Sequence, residues 1–526
     1  MKRFLSLALV GALVLGVSSV VYANVCAFDP VPAATLLFPF VAYDYQGGND
    51  GTTTLFSITN VSSEAQIVHV TLWTDFSVAI LDFNILLTGY DVQEINIRDI
   101  LGNGQLPVTV IGPHTDDEGV SDDGPVSSGN NLVVGRDYSY VGNLMDPPEP
   151  TNAIDSARCN SGMTAYPGRY DDPIDPQYLA LFEAWLKKSQ TETRQFSDEC
   201  YPVGGPYGSP YNVDPASWFE ARTADDVTWM YITADVVETC NLLFPSESAY
   251  WVPFDPNDPG AGVARYDNVL IGQTMWIDNA NRFSEADNAV HLEADLDLDN
   301  VATLGNDPWP ISFYARYSNP LRSDWREPLP TAWAFRYLHG DLNGDGIEDI
   351  ETSIRAWKGS TMDEFDYIID LYFSPRTQSP SSFIASNCYA YTYYSWDDDE
   401  NVTEVDQIPW SQPGGGRVIP NLLPLETQEV SLDWFNTIDV KGWMLFVWPA
   451  SNFDVAGSQE LTPDYYQTWM GVKYNAFNMY SAATSAVVMA NYNCFSDQVL
   501  PDLGVNYKYV DPLDGYYVSP GAFPID

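Results

Sequence analysis

Residues 52–87 read TTTLFSITNVSSEAQIVHVTLWTDFSVAILDFNILL, and three strands follow from that string. Apolar and β-branched residues alternate through 52–59, 66–74 and 79–87, with turn-forming residues from Asn60 to Glu64 between the first two. Alternation with period two places one set of side chains on a buried face and the other outward. From Ile67 to Trp73 both sets are largely apolar, so this strand is expected in the middle of a sheet. Outward from this block, 35–42 and 91–97 have the same texture. The glycine-rich turn at 47–51 precedes residue 52, and Thr88-Gly89-Tyr90 makes a tight turn before residue 91. Short strands about ten residues apart with turn residues between them predict an antiparallel sandwich.

The texture changes at about residue 101. Gly, Pro, Asp, Asn and Ser dominate 112–129 and 145–175, which read as long loops. A helix is predicted over 178–189. Asp175 caps it, Pro176 suits its first turn, and Leu179, Phe182, Trp185 and Leu186 supply its apolar side. A second short helix is expected at 215–222. Strands resume at 228–244, 268–277, 289–298 and 311–318. A further set follows at 332–338, 351–357, 366–373, 387–396, 426–432, 442–448, 467–474 and 484–492. The run Trp443-Met444-Leu445-Phe446-Val447-Trp448 is apolar on both faces and belongs between layers. The fold class is therefore all-β: two antiparallel β-sandwich domains of Ig-like or jelly-roll-like type with a loop-and-helix insertion. The expected division is 1–23 as signal peptide, 24–100 plus 226–320 as the first sandwich, 101–225 as the insertion and 330–526 as the second sandwich.

Lys2 and Arg3 precede an apolar run from Phe4 to Val21, and Val21-Tyr22-Ala23 fits a cleavage site after Ala23. Export is expected. Cys26 has no small residue directly before it, so a lipid anchor is not. No later run approaches the roughly 20 apolar residues that span a bilayer. Six cysteines, Cys26, Cys159, Cys200, Cys240, Cys388 and Cys494, read as disulfides in an exported chain. Six thiols allow fifteen connectivities; the pairing favoured is Cys159–Cys200, Cys388–Cys494 and Cys26–Cys240. Acidic residues number 72 against 23 basic ones, a net charge of −49. Such a surface repels phosphate backbones and anionic lipid, so nucleic acid is not an expected partner. Self-repulsion of that size calls for salt or bound divalent cations.

Several segments carry a resemblance: Thr54-Leu55-Phe56-Ser57, the run 86–92, the run 288–293, Arg326-Glu327-Pro328-Leu329 and the run 469–474. They look like those of a loosely defined group of exported β-rich bacterial proteins. The resemblance implies export and an all-β fold, and it brings no activity with it.

The best chemical motif is Asp341-Leu342-Asn343-Gly344-Asp345-Gly346-Ile347-Glu348-Asp349. Oxygens of Asp341, Asn343 and Asp345, the carbonyl of Ile347 and the carboxylate of Asp349 can converge on one hard cation, with Gly346 at the sharp turn. This resembles EF-hand and dockerin calcium loops, so calcium is the expected cofactor. Thr352 stands where those loops carry a bidentate Glu, which implies modest affinity. A solvated acidic turn is the plainer alternative. Asp295, Asp297 and Asp299, and the run 397–400, read as solvated turns. Tyr389, Tyr391 and Tyr393 share one face of a strand and could stack on sugar rings, although core packing is the favoured explanation of such a ladder. His69 and His291 lie in strands, where a hydrogen-bonded structural histidine is expected. The four histidines make no metal pair, and no nucleophile elbow, Walker loop or dinucleotide fingerprint occurs. The function expected is a secreted or cell-surface structural and interaction protein, calcium-stabilised and self-assembling. The alternatives are a carbohydrate-binding protein or polysaccharide-active hydrolase, and a surface-layer or filament subunit.

Overall fold

The computed structural model describes residues 31–64, 66–75, 79–107, 110–111, 132–133, 174, 176–187, 227–238, 243–252, 263–280, 283–294, 312–314, 324–327, 329–330, 332–341, 349–359, 391–397, 401–407, 423, 425–435, 440–448, 467–476, 480–485 and 487–490. The chain is all-β, in antiparallel sheets, with one described α-helix, α1 (Pro176–Leu186). The early strands are β1 (Thr35–Asp44), β2 (Thr52–Asn60), β3 (Gln66–Thr74), β4 (Ala79–Leu87) and β5 (Val92–Asn96). Two-residue strands β6 (Val110–Ile111) and β7 (Leu132–Val133) pair with each other. Beyond α1 come β8 (Val227–Val237), β9 (Leu270–Asp278), β10 (Phe283–Asn288) and β11 (Val290–Leu292). The remainder are β12 (Ala332–Leu338), β13 (Ile350–Lys358), β14 (Tyr391–Asp397), β15 (Val402–Gln407), β16 (Thr427–Ser431), β17 (Lys441–Val447), β18 (Thr468–Ala476), β19 (Tyr480–Ser485) and β20 (Val487–Ala490).

A five-stranded sheet runs β11-β1-β8-β3-β4, and a four-stranded sheet runs β10-β9-β2-β5. They meet through aromatic and branched side chains, with Phe38 and Phe56 rings 4.7 Å apart. The later strands repeat the numbers: β15-β14-β17-β12-β20 and β16-β13-β18-β19. There Trp333 Nε1 donates to Thr468 Oγ1 at 3.0 Å across the layers. As its composition predicts, β3 lies between β8 and β4 and is buried throughout. Strand β17 likewise lies between β14 and β12. One cluster of buried side chains runs without a break from Leu36 of β1 to Val472 of β18.

Pro39 sits inside β1, where a proline removes a ladder donor. The structure accommodates it with a register shift between Phe38 and Val41. The carbonyls this frees are taken elsewhere: Thr427 Oγ1 donates to Pro39 O at 2.7 Å, and Trp276 Nε1 to Phe40 O at 3.0 Å. The bulge therefore ties the first sheets to β16. At the β4–β5 turn Tyr90 takes φ of 60°, and a side chain on Gly89 would collide with the Ser63 carbonyl.

Four readings change. The strand expected at 311–318 is absent where it is described, since Phe313 and Tyr314 form a turn. Their aromatic faces pack on Trp357 and Trp251 as cover for a sheet rather than as part of one. Of the strand expected at 289–298, the described part is β11, which ends at Leu292, and β10 before it had no counterpart in the sequence reading. The strand expected at 228–244 ends at Val237, and β15 had no counterpart in the sequence reading. The helix expected at 178–189 is α1, shifted toward Pro176. Residues 1–23, the helix at 215–222, the strand at 366–373, Asp295, Asp297, Asp299 and all six cysteines lie outside the described residues. No described helix is long and apolar enough to cross a membrane.

Candidate functional site

The densest chemistry lies on the outer face of the five-stranded sheet. Its register sets Thr35 of β1 opposite Asp235 of β8, Asp235 opposite His69 of β3, and His69 opposite Asn84 of β4. The next row on that face holds Leu37, Thr233, Thr71 and Asp82. An outer sheet face is normally wet. Here side chains from 243–252, Tyr266, 312–314 and 324–327 lie over it, and Thr35, Asp235, His69, Asn84, Thr71 and Asp82 are all fully buried.

Asp235 is the hub. Thr35 Oγ1 donates to its Oδ1 at 2.5 Å, Tyr250 Oη to its Oδ2 at 2.8 Å, and Tyr314 Oη to its Oδ2 at 3.0 Å. Arg326 enters from the segment that precedes β12. Its Nε hydrogen-bonds Thr35 Oγ1 and stands 3.6 Å from Asp235, while Nη1 meets Asp324 at 3.0 Å. Trp251, Tyr266 and Tyr314 present their rings to the guanidinium at 5.2–5.5 Å. Burial opposes the Arg326 charge, but Asp235 and Asp324 outweigh it and hold the pKa above the ordinary guanidinium value. Burial pushes Asp324 upward against the pull of Arg326. Burial and Asp235 raise both Tyr250 and Tyr314.

At the β3–β4 end, His69 Nδ1 pairs with Asn84 Oδ1 at 3.0 Å and its Nε2 stands 3.7 Å from Asp82. Burial lowers His69 and lifts Asp82 to about 7, with Glu247 adding like charge. Among the described residues no group hydrogen-bonds either oxygen of Asp82. A His–Asp pair can relay protons; this one is sealed from solvent. The signal for it was present in sequence: Asp82 and Asn84, like His69 and Thr71, fall at alternate positions of apolar strands. The partnership of Asp235 with Arg326, 91 residues later, had no such signal.

A second buried network joins the two pairs of sheets. Arg355 of β13 meets Glu285 of β10 at 3.0 Å and Glu429 of β16 at 2.8 Å. Lys473 reaches Glu429 at 3.1 Å. Burial would raise Glu429, but Lys473 and Arg355 hold it down at about 2.

Of the residues singled out from sequence, Asp341 and Asp349 are described, whereas Asn343, Asp345 and Ile347 are not. Gly340 N donates to Ile350 O at 2.7 Å, with φ of +94° at Gly340, so the loop between β12 and β13 is pinched at its base. Tyr393 lies buried against Phe435 and Phe446, with ring centroids 5.3 and 5.6 Å away. Tyr391 begins β14, and Tyr389 lies outside the described residues. The opposite parity of β14 carries Tyr394 and Trp396, with Trp396 opposite Trp443, which is 44% exposed. His69 and His291 both lie in strands; Gly272 N donates to His291 Nε2 at 3.1 Å. Asp397 closes the β14–β15 turn by accepting from Asn401 N at 2.8 Å. No group of three or more metal-capable side chains occurs among the described residues.

One face stands open. On the outer side of the four-stranded sheet the register aligns Asn96, Leu55, Met275 and Ala286, and beside them Glu94, Ser57, Gln273 and Asn288. Val92, Thr59 and Ile271 form a third row, with Val92 51% and Met275 41% exposed. Among the described strand residues on this face, Glu94 is the single ionisable side chain, in a chain of net charge −49. Comparison with protein families, with curated proteins and with solved structures finds no match to this chain.

Proposed function

We propose that the chain is an exported structural and interaction protein of the cell surface that associates with copies of itself through the outer face of β10-β9-β2-β5. The nearly uncharged character of that face carries the reading. A polyanion repels its own copies wherever carboxylates face each other, and a flat sheet without them is where two copies can approach. A twofold contact would set the same patch against itself. Strands of nine, nine, six and five residues, at about 3.4 Å per residue and 4.8 Å between strands, give a face of roughly 470 Å². Stable complexes bury about 800 Å² per partner, so the contact is weak and operates where copies are crowded. The leader sequence and the paired number of cysteines support export. Calcium fits the 341–349 loop because its donors are all oxygen and its ends are held together at Gly340 and Ile350. Light scattering after size exclusion tests the association. The wild type is expected to show a concentration-dependent mass that Met275→Glu removes, and a constant monomer mass for both overturns the proposal.

A second reading rests on Trp396 and Trp443, which place aromatic surface on the outer face of β14-β17-β12. Such a face suits carbohydrate stacking. Glycan-array binding lost in Trp443→Ala is the result that reading requires.

A further inference from the structure

A cleft of about 440 Å³ opens between α1 and the end of the first sheets, within the range of roughly 300–1,000 Å³ typical of ligand pockets. Its walls include Tyr45 beyond β1, Asn49 of the following turn, Arg98 and Asn103 of a π-helical turn, and Leu179 and Glu183 of α1. Arg98 is the unusual member. Its Nη2 donates to Gly51 O at 2.6 Å, yet among the described residues its guanidinium makes no ion pair. In a chain where acids outnumber bases by 72 to 23, a cation that lines a cavity without a carboxylate partner is conspicuous. Glu183, in the same lining, is engaged by Lys187 at 3.0 Å, and Lys187 stands 5.3 Å over the Tyr45 ring.

These groups define a ligand class. The planar fork of Arg98 suits a carboxylate. A ligand ammonium would have to displace Lys187 from Glu183, which disfavours amino acids. A dianion such as phosphate is repelled by the net charge more strongly than a monoanion. The tyrosine ring and Leu179 offer apolar wall to a ring's C–H face, and the amides of Asn49 and Asn103 offer both donors and acceptors. We propose that this cleft binds a hydroxylated monocarboxylate of about one ring, a sugar acid of the uronic class, with its carboxylate on Arg98. The proposal is independent of self-association and of the tryptophan face.

Isothermal titration of the full exported chain with glucuronate and galacturonate, beside glucose and acetate, tests it. At least one uronate is expected to bind at least tenfold more tightly than glucose or acetate. Arg98→Gln is expected to weaken that binding at least tenfold. Because Arg98 also holds the Gly51 carbonyl, Ala180→Trp provides a second variant: residue 180 is exposed on α1 and lines the cleft, so the indole fills it without touching the core. Binding abolished by Ala180→Trp with an unchanged melting temperature supports the assignment. Absence of uronate binding, equal binding of glucose, or binding that survives both substitutions overturns it.

Discussion

The guanidinium of Arg355 lies 3.0 Å from the carboxylate of Glu285 and joins β13 to β10, two strands from different sheet pairs. The rings of Trp276 and Phe40 stand 4.2 and 4.8 Å from the same guanidinium. The pair is nearly inaccessible to water, so each charge depends on the other. Arg355→Met would leave Glu285 and Glu429 without that counter-charge, and a loss of about 3–5 kcal/mol in unfolding free energy is expected. Lys473→Met removes a partly exposed partner and should cost less. Equal, small effects from both in urea denaturation would show that the joint does not depend on Arg355.

Acid acts on the same joint. Glu429 titrates at about 2 when folded against an ordinary 4.5, so its contribution is complete above about 4.5 and is lost as pH falls toward 2. Melting temperature should drop over that interval, and Glu429→Gln should show a shallower drop. Parallel curves for the two proteins would contradict the assignment.

Asp82 has the opposite sign. With a folded pKa of about 7 against 3.8, the folded state holds its proton more tightly, so this group lowers stability as pH rises from about 4 to 7. Asp82→Asn mimics the neutral acid. The variant should gain on the wild type across that interval by at most about 4 kcal/mol, since one pKa unit is about 1.4 kcal/mol. A pH-independent difference would mean that His69 and Asp82 already share charge at neutral pH.

Arg326 should be intolerant of substitution. Arg326→Met strands Asp235 and Asp324 in the interior, at an expected cost on the order of 3–5 kcal/mol. Arg326→Lys keeps the charge but not the fork that reaches Thr35 and Asp324 together, so a smaller loss is expected. Denaturation midpoints unchanged in both variants would remove Arg326 from its place as the pin of the covering loops.

Calcium should raise the melting temperature of the wild type, and chelation should lower it. Asp345→Ala should erase the difference. An identical melt with and without chelator, together with no metal in the purified protein, would leave the 341–349 loop as a solvated turn.

Local pattern made much of the sheet framework legible. Strands β3, β4 and β12 have the boundaries expected from alternation and composition, because each pairs over its full length. Residues 311–318 misled because Phe313 and Tyr314 are apolar for a different reason, covering a polar sheet face. The face itself was half visible, in the polar residues at alternate positions of β3 and β4. Its closure by Arg326 was not, since periodicity carries no information about which distant segment folds over a sheet. Tyr393 shows the same limit on the site: alternation groups it with Tyr391, and Phe435 and Phe446 decide that its ring faces the core.

Sedimentation equilibrium in a series of salt concentrations probes the proposed assembly face most directly. Screening reduces repulsion between polyanions and leaves an uncharged contact intact, so association should strengthen as salt rises from about 0.05 to 0.5 M. Met275→Glu should remain monomeric throughout. Association that weakens with salt, or that Met275→Glu leaves unchanged, would mean that charged groups elsewhere make the contact and would contradict the account.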